Sequence, residues 1–397
     1  MEKENINKTG NNSESKKPAP VGRRDVIKTL ATVPLLGAMA YGAIKTRKKE
    51  LQGRDISDVF QLSNKEAVFI QPQANGKQIR LGLVGFGIRG KQLMRALGFA
   101  EPTYIDTLIE AKKTNPNDTI YDVFMEQDNL NVVVNGVCDI FDVYADTAAQ
   151  AGANINKEGT NVKPGNLPKR YRTYKEMLAA DDIDAIVIAG PDHWHGTMTI
   201  EVAKAEKHVY CEKPAAPDVA GCLRVINARK KAEGKVSVAI GFQIRHATPY
   251  AGLAEKIRNG AIGEIVSVQL YYISSRIGFN KPVVASEEEY RIRNHFHYTD
   301  LSGGIFLDQA VHMIDVCNWI LNEKPENAIG RGNLKGGPDF GDTFTNYQVI
   351  FGYPGELGVS VHSTQVGPSF GDVCARFTGT KGVAEAHYSQ GVFINGE

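Results

Sequence analysis

Two stretches of the chain carry side chains that could exchange a proton with a substrate. The first is HVYCEKPAA, residues 208–216, in which an apolar run ends with Glu212 and Lys213 just before Pro214. A partly desolvated lysine has a lowered pKa and can act as a general acid or base on a hydroxyl group. The same residues also suit a solvated turn, so their chemistry depends on where the fold places them.

The second stretch is GGIFLDQAVHMIDV, where Asp308, His312 and Asp315 follow one another at spacings of four and three. Those spacings predict that the three lie on one face of a helix. A histidine one turn from a carboxylate can serve as an oriented acid or base, whereas a lone buried histidine is only a core residue. The adjacent buried stripe is predicted to consist of Leu307, Val311 and Ile314.

A glycine-rich turn follows an apolar run after the N-terminal segment. Residues 78–98, QIRLGLVGFGIRGKQLMRALG, read as a strand, a GxGxxG turn and a helix. The three glycines would allow a tight turn, close approach of a pyrophosphate and close helix–strand packing, with the anion on the helix N-terminus. A plain tight turn is the alternative. The predicted contacts are Gly85, Gly87, Ile88, Arg89 and Gly90.

The acidic residue that would bind a ribose hydroxyl is Asp139, which follows the apolar run VVVNGVC. It lies 49 residues after Gly90, whereas the usual separation is about 20 residues. The intervening polar segment reads as an insertion before the second strand. A carboxylate at this position disfavours the extra phosphate of NADP, so the predicted cofactor is NAD.

Strands and helices alternate along residues 76–243, which predicts a doubly wound parallel sheet in a nucleotide-binding domain. From residue 244 to residue 397 the pattern of strands and helices changes. It predicts a second, α+β domain with an open, largely antiparallel sheet. The chain ends on a strand-like run, from which we expect the natural C-terminus to extend further.

Ligands of doubly wound sheets bind beyond the carboxyl ends of the strands. AGPDHWHGT follows the strand AIVIA and CEKP follows the strand HVY, so both segments belong to the cofactor edge. We therefore add Pro191, His195, Glu212 and Lys213 to the predicted cofactor contacts. His195 either contacts the cofactor or caps the next helix, and Asp192 suits a capping role.

The charge and the cysteine content limit the kinds of partner that the chain is expected to bind. The 397 residues contain 46 Lys and Arg against 45 Asp and Glu, without the basic face that nucleic-acid binding requires. The five cysteines show no spacing typical of a metal site or a disulfide framework, so no metal is predicted.

Residues 1–50 resemble an export leader and linker. Arg23 and Arg24 precede a 16-residue apolar stretch, as in a twin-arginine signal. That stretch is shorter than the ~20 residues of a spanning helix, so a signal peptide is favoured over a permanent anchor, and a chance Arg pair before a buried helix is the third interpretation. The expectation is export to the periplasm of a protein already folded with its cofactor.

The order GFGIRG, VCDI, PDHWH, EKP and GGxxxDxxxHxxD resembles the Gfo/Idh/MocA family of NAD(P)-dependent oxidoreductases. The resemblance implies a Rossmann domain followed by an open-sheet domain that shapes the substrate pocket and mediates oligomers. It places Lys213 at the lysine of the EKP motif, and Asp308 and His312 at the remaining catalytic pair. His312 would accept the proton while Lys213 and Asp308 orient the hydroxyl.

The favoured function is therefore a dehydrogenase acting on a secondary hydroxyl of a sugar, glycoside or cyclitol, with tightly bound and recycling NAD. Its partners would be a carbohydrate, the twin-arginine export machinery and further copies of the chain. Many family members carry D-x-G-x-H, whereas Gln309, Ala310 and Val311 stand between Asp308 and His312 here. An NAD-dependent glycosidase and a non-catalytic NAD- or sugar-binding protein are the alternatives.

Overall fold

The computed structural model describes residues 76–153, 167–277, 284–367 and 371–396. The predicted twin-arginine leader at residues 1–50 lies outside the described residues. Within the four ranges, no helix has both the length and the apolar character needed to cross a membrane.

The first half of the described chain forms a six-stranded parallel sheet. Its strands are β1 (Ile79–Val84), β2 (Val132–Cys138), β3 (Lys169–Arg170), β4 (Ala185–Ile188), β5 (His208–Glu212) and β6 (Val238–Gly241). They lie in the order β3–β2–β1–β4–β5–β6. The direction of winding reverses between β1 and β4, which is where such sheets bind a dinucleotide.

Helices connect these strands across both faces of the sheet. In the described residues they are α1 (Ile88–Ala96), α2 (Pro102–Thr114), α3 (Ile120–Met125), α4 (Asp142–Ala153), α5 (Tyr174–Leu178), α6 (Asp192–Lys204) and α7 (Val219–Lys231). The insertion predicted before β2 contains α2 and α3, which pack around a small core of their own formed by Ile105, Leu108 and Phe124.

The sheet is buried on both faces, as parallel sheets are. Successive β1 residues show this: Leu83 packs with Met94 on one face, and Val84 packs with Ile186 on the other. Only 2% of Leu83 and 6% of Val84 is exposed. The strand is therefore a nearly continuous apolar run, and the polar chemistry is left to the loops at its carboxyl end.

The second half forms a seven-stranded mixed sheet. Its strands are β7 (Ile265–Ser274), β8 (Asn327–Asn333), β9 (Asn346–Tyr353), β10 (Leu357–Gln365), β11 (Asp372–Gly379), β12 (Gly382–His387) and β13 (Gly391–Gly396). They lie in the order β13–β12–β11–β7–β10–β9–β8. Only β7 and β10 pair in parallel, and the other pairs are antiparallel. The predicted fold class is confirmed, with this one parallel pair not foreseen.

Helices cover one face of the second sheet. The helices of this half, among the described residues, are α8 (Thr248–Arg258), α9 (Glu287–Arg293), α10 (Thr299–Ser302) and α11 (Val311–Leu321). Leu253 of α8 and Met313 of α11 pack against Leu270 and Phe377 of the sheet. The opposite face exposes apolar side chains, among them those of Ile329, Ile350 and Phe393.

A single π-helical turn, Phe306–Ala310, leads into α11. Such a turn holds more residues than an α-helical turn, so it shifts which side chains face the core. The buried stripe of this segment is Ala310, Met313, Val316, Cys317 and Ile320. The predicted stripe of Leu307, Val311 and Ile314 is wrong, since all three are only half-buried.

Candidate active site

The glycine turn after β1 is shaped by backbone contacts. Gly85 has φ of 88°, and a Cβ there would lie 2.6 Å from the carbonyl oxygen of Ala189. A Cβ on Gly90 would overlap the carbonyl oxygen of Gly85. By contrast, a Cβ on Gly87 would have no atom within 4 Å. Two of the glycines are thus required by packing, and the third leaves open space.

That open space adjoins the N-terminus of α1. Gly87 is the N-cap and supplies no side-chain hydrogen bond, so the first N–H groups of the nine-residue helix are not capped by a side chain. Free N–H groups and the positive end of the helix dipole favour an anion. The residues present therefore fit the pyrophosphate of NAD, and Ile88, which is 83% exposed, begins the helix beside it.

Asp139 follows β2 and holds two turns together. One carboxylate oxygen accepts a hydrogen bond from the Phe86 N–H at 2.8 Å, and the other accepts one from the Phe141 N–H at 2.9 Å. Burial raises the pKa of Asp139, against the opposing effect of these two bonds. Each oxygen keeps a lone pair for a further donor, so the predicted ribose contact is compatible with the geometry.

The side chain of Glu212, at the end of β5, contacts Arg89 beside the glycine turn. Its Oε1 lies 2.9 Å from Nε of Arg89 and accepts a hydrogen bond from the hydroxyl of Tyr210, also at 2.9 Å. The side chain of Glu212 is 5% exposed. Oε1 of Glu212 is therefore engaged by Arg89 and Tyr210.

Lys213 reaches across to the second half of the chain. Its ammonium group donates to Oδ1 of Asp308 at 2.7 Å and also to the Asp308 carbonyl oxygen. The two side chains are 14% and 8% exposed. The peptide bond between Lys213 and Pro214 is cis. The structure thus brings together two of the three predicted catalytic residues, which are 95 positions apart.

His312, the third predicted catalytic residue, is 6% exposed and lies at the start of α11. No partner among the described residues lies within hydrogen-bond distance of its Nδ1. Burial, followed by the positive charges of Lys213 and Arg89, lowers the pKa of His312 to about 3. The imidazole is therefore neutral at physiological pH.

His195 and Asp192 do not have the roles predicted from the sequence. The N-cap of α6 is Pro191, so neither residue caps the helix. The two ring nitrogens of His195 lie 2.8 Å from the carbonyl oxygens of Gly190 and Pro214. The ring is 1% exposed and braces two strand ends, which leaves it no nitrogen for a cofactor.

Asp315, predicted beside Asp308 and His312, has a different partner. Arg245 donates to both of its carboxylate oxygens, at 2.8 and 2.7 Å. Asp315 therefore ties α11 to the segment that follows β6 and does not join the Lys213–Asp308 pair.

Sequence reasoning missed Tyr210 and gave Asp192 a different role. Tyr210, two positions before Glu212 on β5, points to the same side as Glu212, as the period of two in a strand requires. Asp192 is 4% exposed, and its electrostatic neighbours are Asp308, Lys213 and Glu212. The one sequence signal for these charged neighbours was the position of Asp192 just after a strand, at the cofactor edge.

A separate cluster on the second sheet, Asp372, Cys374 and His387, has ligand-type atoms within 4.8 Å of one another. Arg376 donates to Asp372 at 3.1 Å, and His387 lies 2.7 Å from a Glu385 oxygen. Asp372 and His387 are therefore already partnered within the protein.

Two family models match the chain. The model described as "Oxidoreductase family, NAD-binding Rossmann fold" matches residues 79–240, and the "GFO/IDH/MocA C-terminal domain" matches residues 250–385. The predicted NAD-binding domain is confirmed by the first match.

Individual curated relatives match about half of the chain at low identity. The chain is 30% identical to a myo-inositol 2-dehydrogenase of Thermotoga maritima over 196 residues, which is 49% of this chain and 53% of the relative. The chain spans about half the length of the curated relatives it matches.

Solved structures share the fold. The WlbA dehydrogenase of Bordetella pertussis, in complex with NADH and UDP-GlcNAcA, has a TM-score of 0.59 at 20% identity, with 78% of this chain and 74% of that chain covered. A levoglucosan dehydrogenase, in complex with NADH and levoglucosan, has a TM-score of 0.58 at 20% identity, with 79% and 74% covered.

Proposed function

This chain belongs to the GFO/IDH/MocA family of oxidoreductases, and on that premise we propose that it is an NAD-dependent dehydrogenase. Its substrate would be a secondary hydroxyl of a sugar, glycoside or cyclitol. The observation that carries the proposal is the buried Lys213–Asp308 ion pair. It lies after β5, at the sheet edge that also carries the glycine turn, and His312 of α11 has an unpartnered Nδ1 among the described residues.

The residues of this chain would have three tasks: binding the pyrophosphate, binding the ribose, and moving the proton of the substrate hydroxyl. Gly87 and the N-terminus of α1 would bind the pyrophosphate, and Asp139 would accept hydrogen bonds from a ribose. When bound, NAD supplies the group that accepts or returns a hydride. The protein side of the chemistry is then limited to binding a hydroxyl and moving its proton.

Lys213 and His312 are suited to those two tasks. Two of the three ammonium hydrogens of Lys213 are held by Asp308, so one remains to donate to a substrate oxygen. His312 is neutral, because burial lowers its pKa to about 3, and can accept the hydroxyl proton on a ring nitrogen. Asp308 keeps the ammonium in one orientation.

Two observations on relatives support the substrate class. The Thermotoga maritima relative is named a myo-inositol dehydrogenase, and the structural neighbours carry a sugar nucleotide or levoglucosan. Cyclitols and pyranoses share a ring of secondary hydroxyls. The proposal therefore names this shared chemistry and no single compound.

The test is turnover on a panel of cyclitols, free sugars and glycosides with added NAD, followed by NADH absorbance and by product analysis. A dehydrogenase forms NADH and a ketone on at least one member of the panel. Aglycone release without net NADH would instead indicate the glycosidase alternative. Normal NAD binding with no turnover on any compound would favour a binding protein.

We also propose that NAD stays bound through successive turnovers. The support is the predicted export route, since free NAD is scarce outside the cytoplasm. Mass spectrometry of denatured purified protein should detect stoichiometric NAD that survives extensive dialysis. Loss of NAD during dialysis would contradict retention without affecting the dehydrogenase proposal.

Export to the periplasm through the twin-arginine route remains a proposal. Its support is Arg23 and Arg24 ahead of an apolar stretch. The measurement is cell fractionation of the wild-type chain and of a variant with both arginines changed to lysine. Retention of only the variant in the cytoplasm supports the route, and equal distribution of the two contradicts it.

We propose a homo-oligomer formed through the uncovered face of the second sheet. Its support is the exposed apolar side chains of Ile329 and Ile350, which are cross-strand partners, and of Phe393. Light scattering after gel filtration should give a mass above that of one chain. Ile350→Lys should lower that mass if this face is the interface.

A further inference from the structure

Three carboxyl groups among the described residues lie around Lys213, and two of them are paired with a cation. Lys213 is paired with Asp308 at 2.7 Å, and Arg89 is paired with Glu212 at 2.9 Å. Asp192 is the remaining acid of this group. It is 4% exposed, and its Oδ2 has no hydrogen-bond partner in the described part of the chain.

An ionised Asp192 would be a buried charge whose Oδ2 has no hydrogen-bond partner among the described residues, held only by a backbone hydrogen bond and by the charge of Lys213, which is costly in a protein interior. The groups that face it from neighbouring elements are Asp308 of the π-helical turn, Lys213 and Glu212 at the end of β5, and the buried thiol of Cys211. Lys213 is the sole cation among them, and it is already engaged by Asp308 through two hydrogen bonds. This arrangement favours a proton on Asp192 over a second negative charge beside Asp308.

We propose that Asp192 is a protonated positioning residue whose proton leaves the third N–H of Lys213 available to the substrate. The inference rests on the proposed function only for the last step, since the proton itself follows from burial and from the number of charges. An ionised Asp192 would compete with substrate for Lys213 and hold the ammonium between two carboxylates. Burial, reinforced by the charge of Asp308, raises the pKa of Asp192 well above its ordinary value.

The state of Asp192 has a consequence for folding stability that does not depend on catalysis. An unfolded aspartate loses its proton near pH 4, whereas the folded state keeps this proton to higher pH. Between those two pKa values the folded state binds more protons than the unfolded state, so stability falls as pH rises. Asn at this position has no proton to lose.

The experiment compares thermal unfolding of wild-type protein and Asp192→Asn from about pH 4 to pH 9. The expected result is a difference in Tm that is smallest at the acidic end and grows in favour of the variant as pH rises. A difference that stays constant would mean that folding leaves the pKa of Asp192 unchanged, and a difference that favours wild type at neutral pH would mean that Asp192 is ionised and stabilised by a cation. Either result would overturn the proposal. If Asp192→Asn does not fold, Asp192→Ser is measured in the same way.

Asp308→Asn is the matched control, because it makes the same substitution in the same cluster at an acid that is paired with a cation. It leaves Lys213 without its carboxylate and should lower Tm relative to wild type at neutral pH, the opposite of Asp192→Asn. Equal loss of Tm in both variants at neutral pH would overturn the assignment of the proton to Asp192.

The catalytic arm is the pH profile of kcat/KM on an active member of the substrate panel. Wild-type activity should decline at alkaline pH as Asp192 ionises, and Asp192→Asn should shift or remove that decline. An identical alkaline decline in both proteins would overturn the link to Lys213. Because the unfolding arm needs no turnover, failure of the dehydrogenase proposal leaves the assignment of the proton decided by Tm.

Discussion

Arg89 of the glycine turn and Glu212 at the end of β5 form an ion pair, with 2.9 Å between Nε and Oε1. The pair joins the segment that would bind the pyrophosphate to the residue next to Lys213. This one ion pair thus connects the proposed cofactor-binding segment to the strand end that carries Lys213.

Glu212→Gln should weaken NAD binding and lower the stability of the fold by roughly 1–3 kcal/mol, since a hydrogen bond between charged groups is lost. Calorimetric titration with NAD and denaturant unfolding measure the two effects. The matched control is Asp184→Asn, which breaks the ion pair of Asp184 with Arg80 at the amino end of β1. That control should lose stability but retain NAD affinity, and equal loss of affinity in both variants would argue against a role for the Arg89–Glu212 pair in binding.

The glycine turn allows binding to be separated from folding. Gly87→Ala should fold like wild type, because no atom lies within 4 Å of the added carbon. It should weaken NAD binding about tenfold or more, equivalent to about 1.4 kcal/mol, because the carbon fills the space predicted for the pyrophosphate. Titration with NAD measures the loss of affinity, and Tm measures whether the variant is as stable as wild type.

Gly90→Ala is the counterpart of Gly87→Ala. Its added carbon overlaps the Gly85 carbonyl oxygen, so the variant should lose roughly 1–3 kcal/mol of stability. If instead Gly87→Ala were the less stable of the two, the space beside Gly87 would not be open to an added carbon.

Breaking the Lys213–Asp308 pair should remove catalysis and spare cofactor binding. For Asp308→Asn we expect kcat to fall by about 10² or more, which is typical of a lost acid–base arrangement, while the Kd for NAD stays near that of wild type. Stopped-flow or steady-state kinetics with a binding titration measure both.

Asp315→Asn is the control for Asp308→Asn, because it changes the same residue type seven positions further along the chain. Its ion pair with the 42% exposed side chain of Arg245 should contribute no more than about 1 kcal/mol. A similar loss of kcat in the two variants would show that the effect comes from the helix and not from Lys213.

The pH dependence of His312 follows from its lowered pKa. Burial takes the pKa to about 3, so kcat/KM should not fall near pH 6.5, the usual value for histidine. Between those values the unfolded chain binds more protons than the folded one, so wild-type stability is lost as pH falls from 6.5 towards 3. His312→Asn should lack this loss, and Tm at pH 7 and pH 5 measures it. A wild-type Tm that falls no more than that of the variant would contradict a buried neutral imidazole.

Local patterns were sufficient for the parts of the fold that local physics determines. The glycine turn, the alternation of strands and helices, and the placement of Lys213 at a strand end all follow from spacing and strand topology. The contact of Lys213 with Asp308 depends on how two halves of the chain pack, and the sequence placed them together only through the family resemblance.

Other features depend on tertiary context. The period of 3.6 residues assumes a regular α-helix, so it misplaced the stripe that follows the π-helical turn. Glu212 stands next to Lys213 in the sequence, yet strand geometry turns it towards Arg89 and Tyr210. The burial of His195 and Asp192 is decided by residues that lie far from them along the chain.

The carboxylate of Asp139 bonds the N–H of Phe86 on one side and that of Phe141 on the other. An attempt to convert the coenzyme preference from NAD to NADP by replacing this acid would therefore also release both turns. Engineering at this position needs a substitute acceptor for the two N–H groups, such as Asn or Ser, together with any new cation for the added phosphate. With Asp139 as the proposed ribose contact, coenzyme choice and the shape of the glycine turn depend on the same side chain.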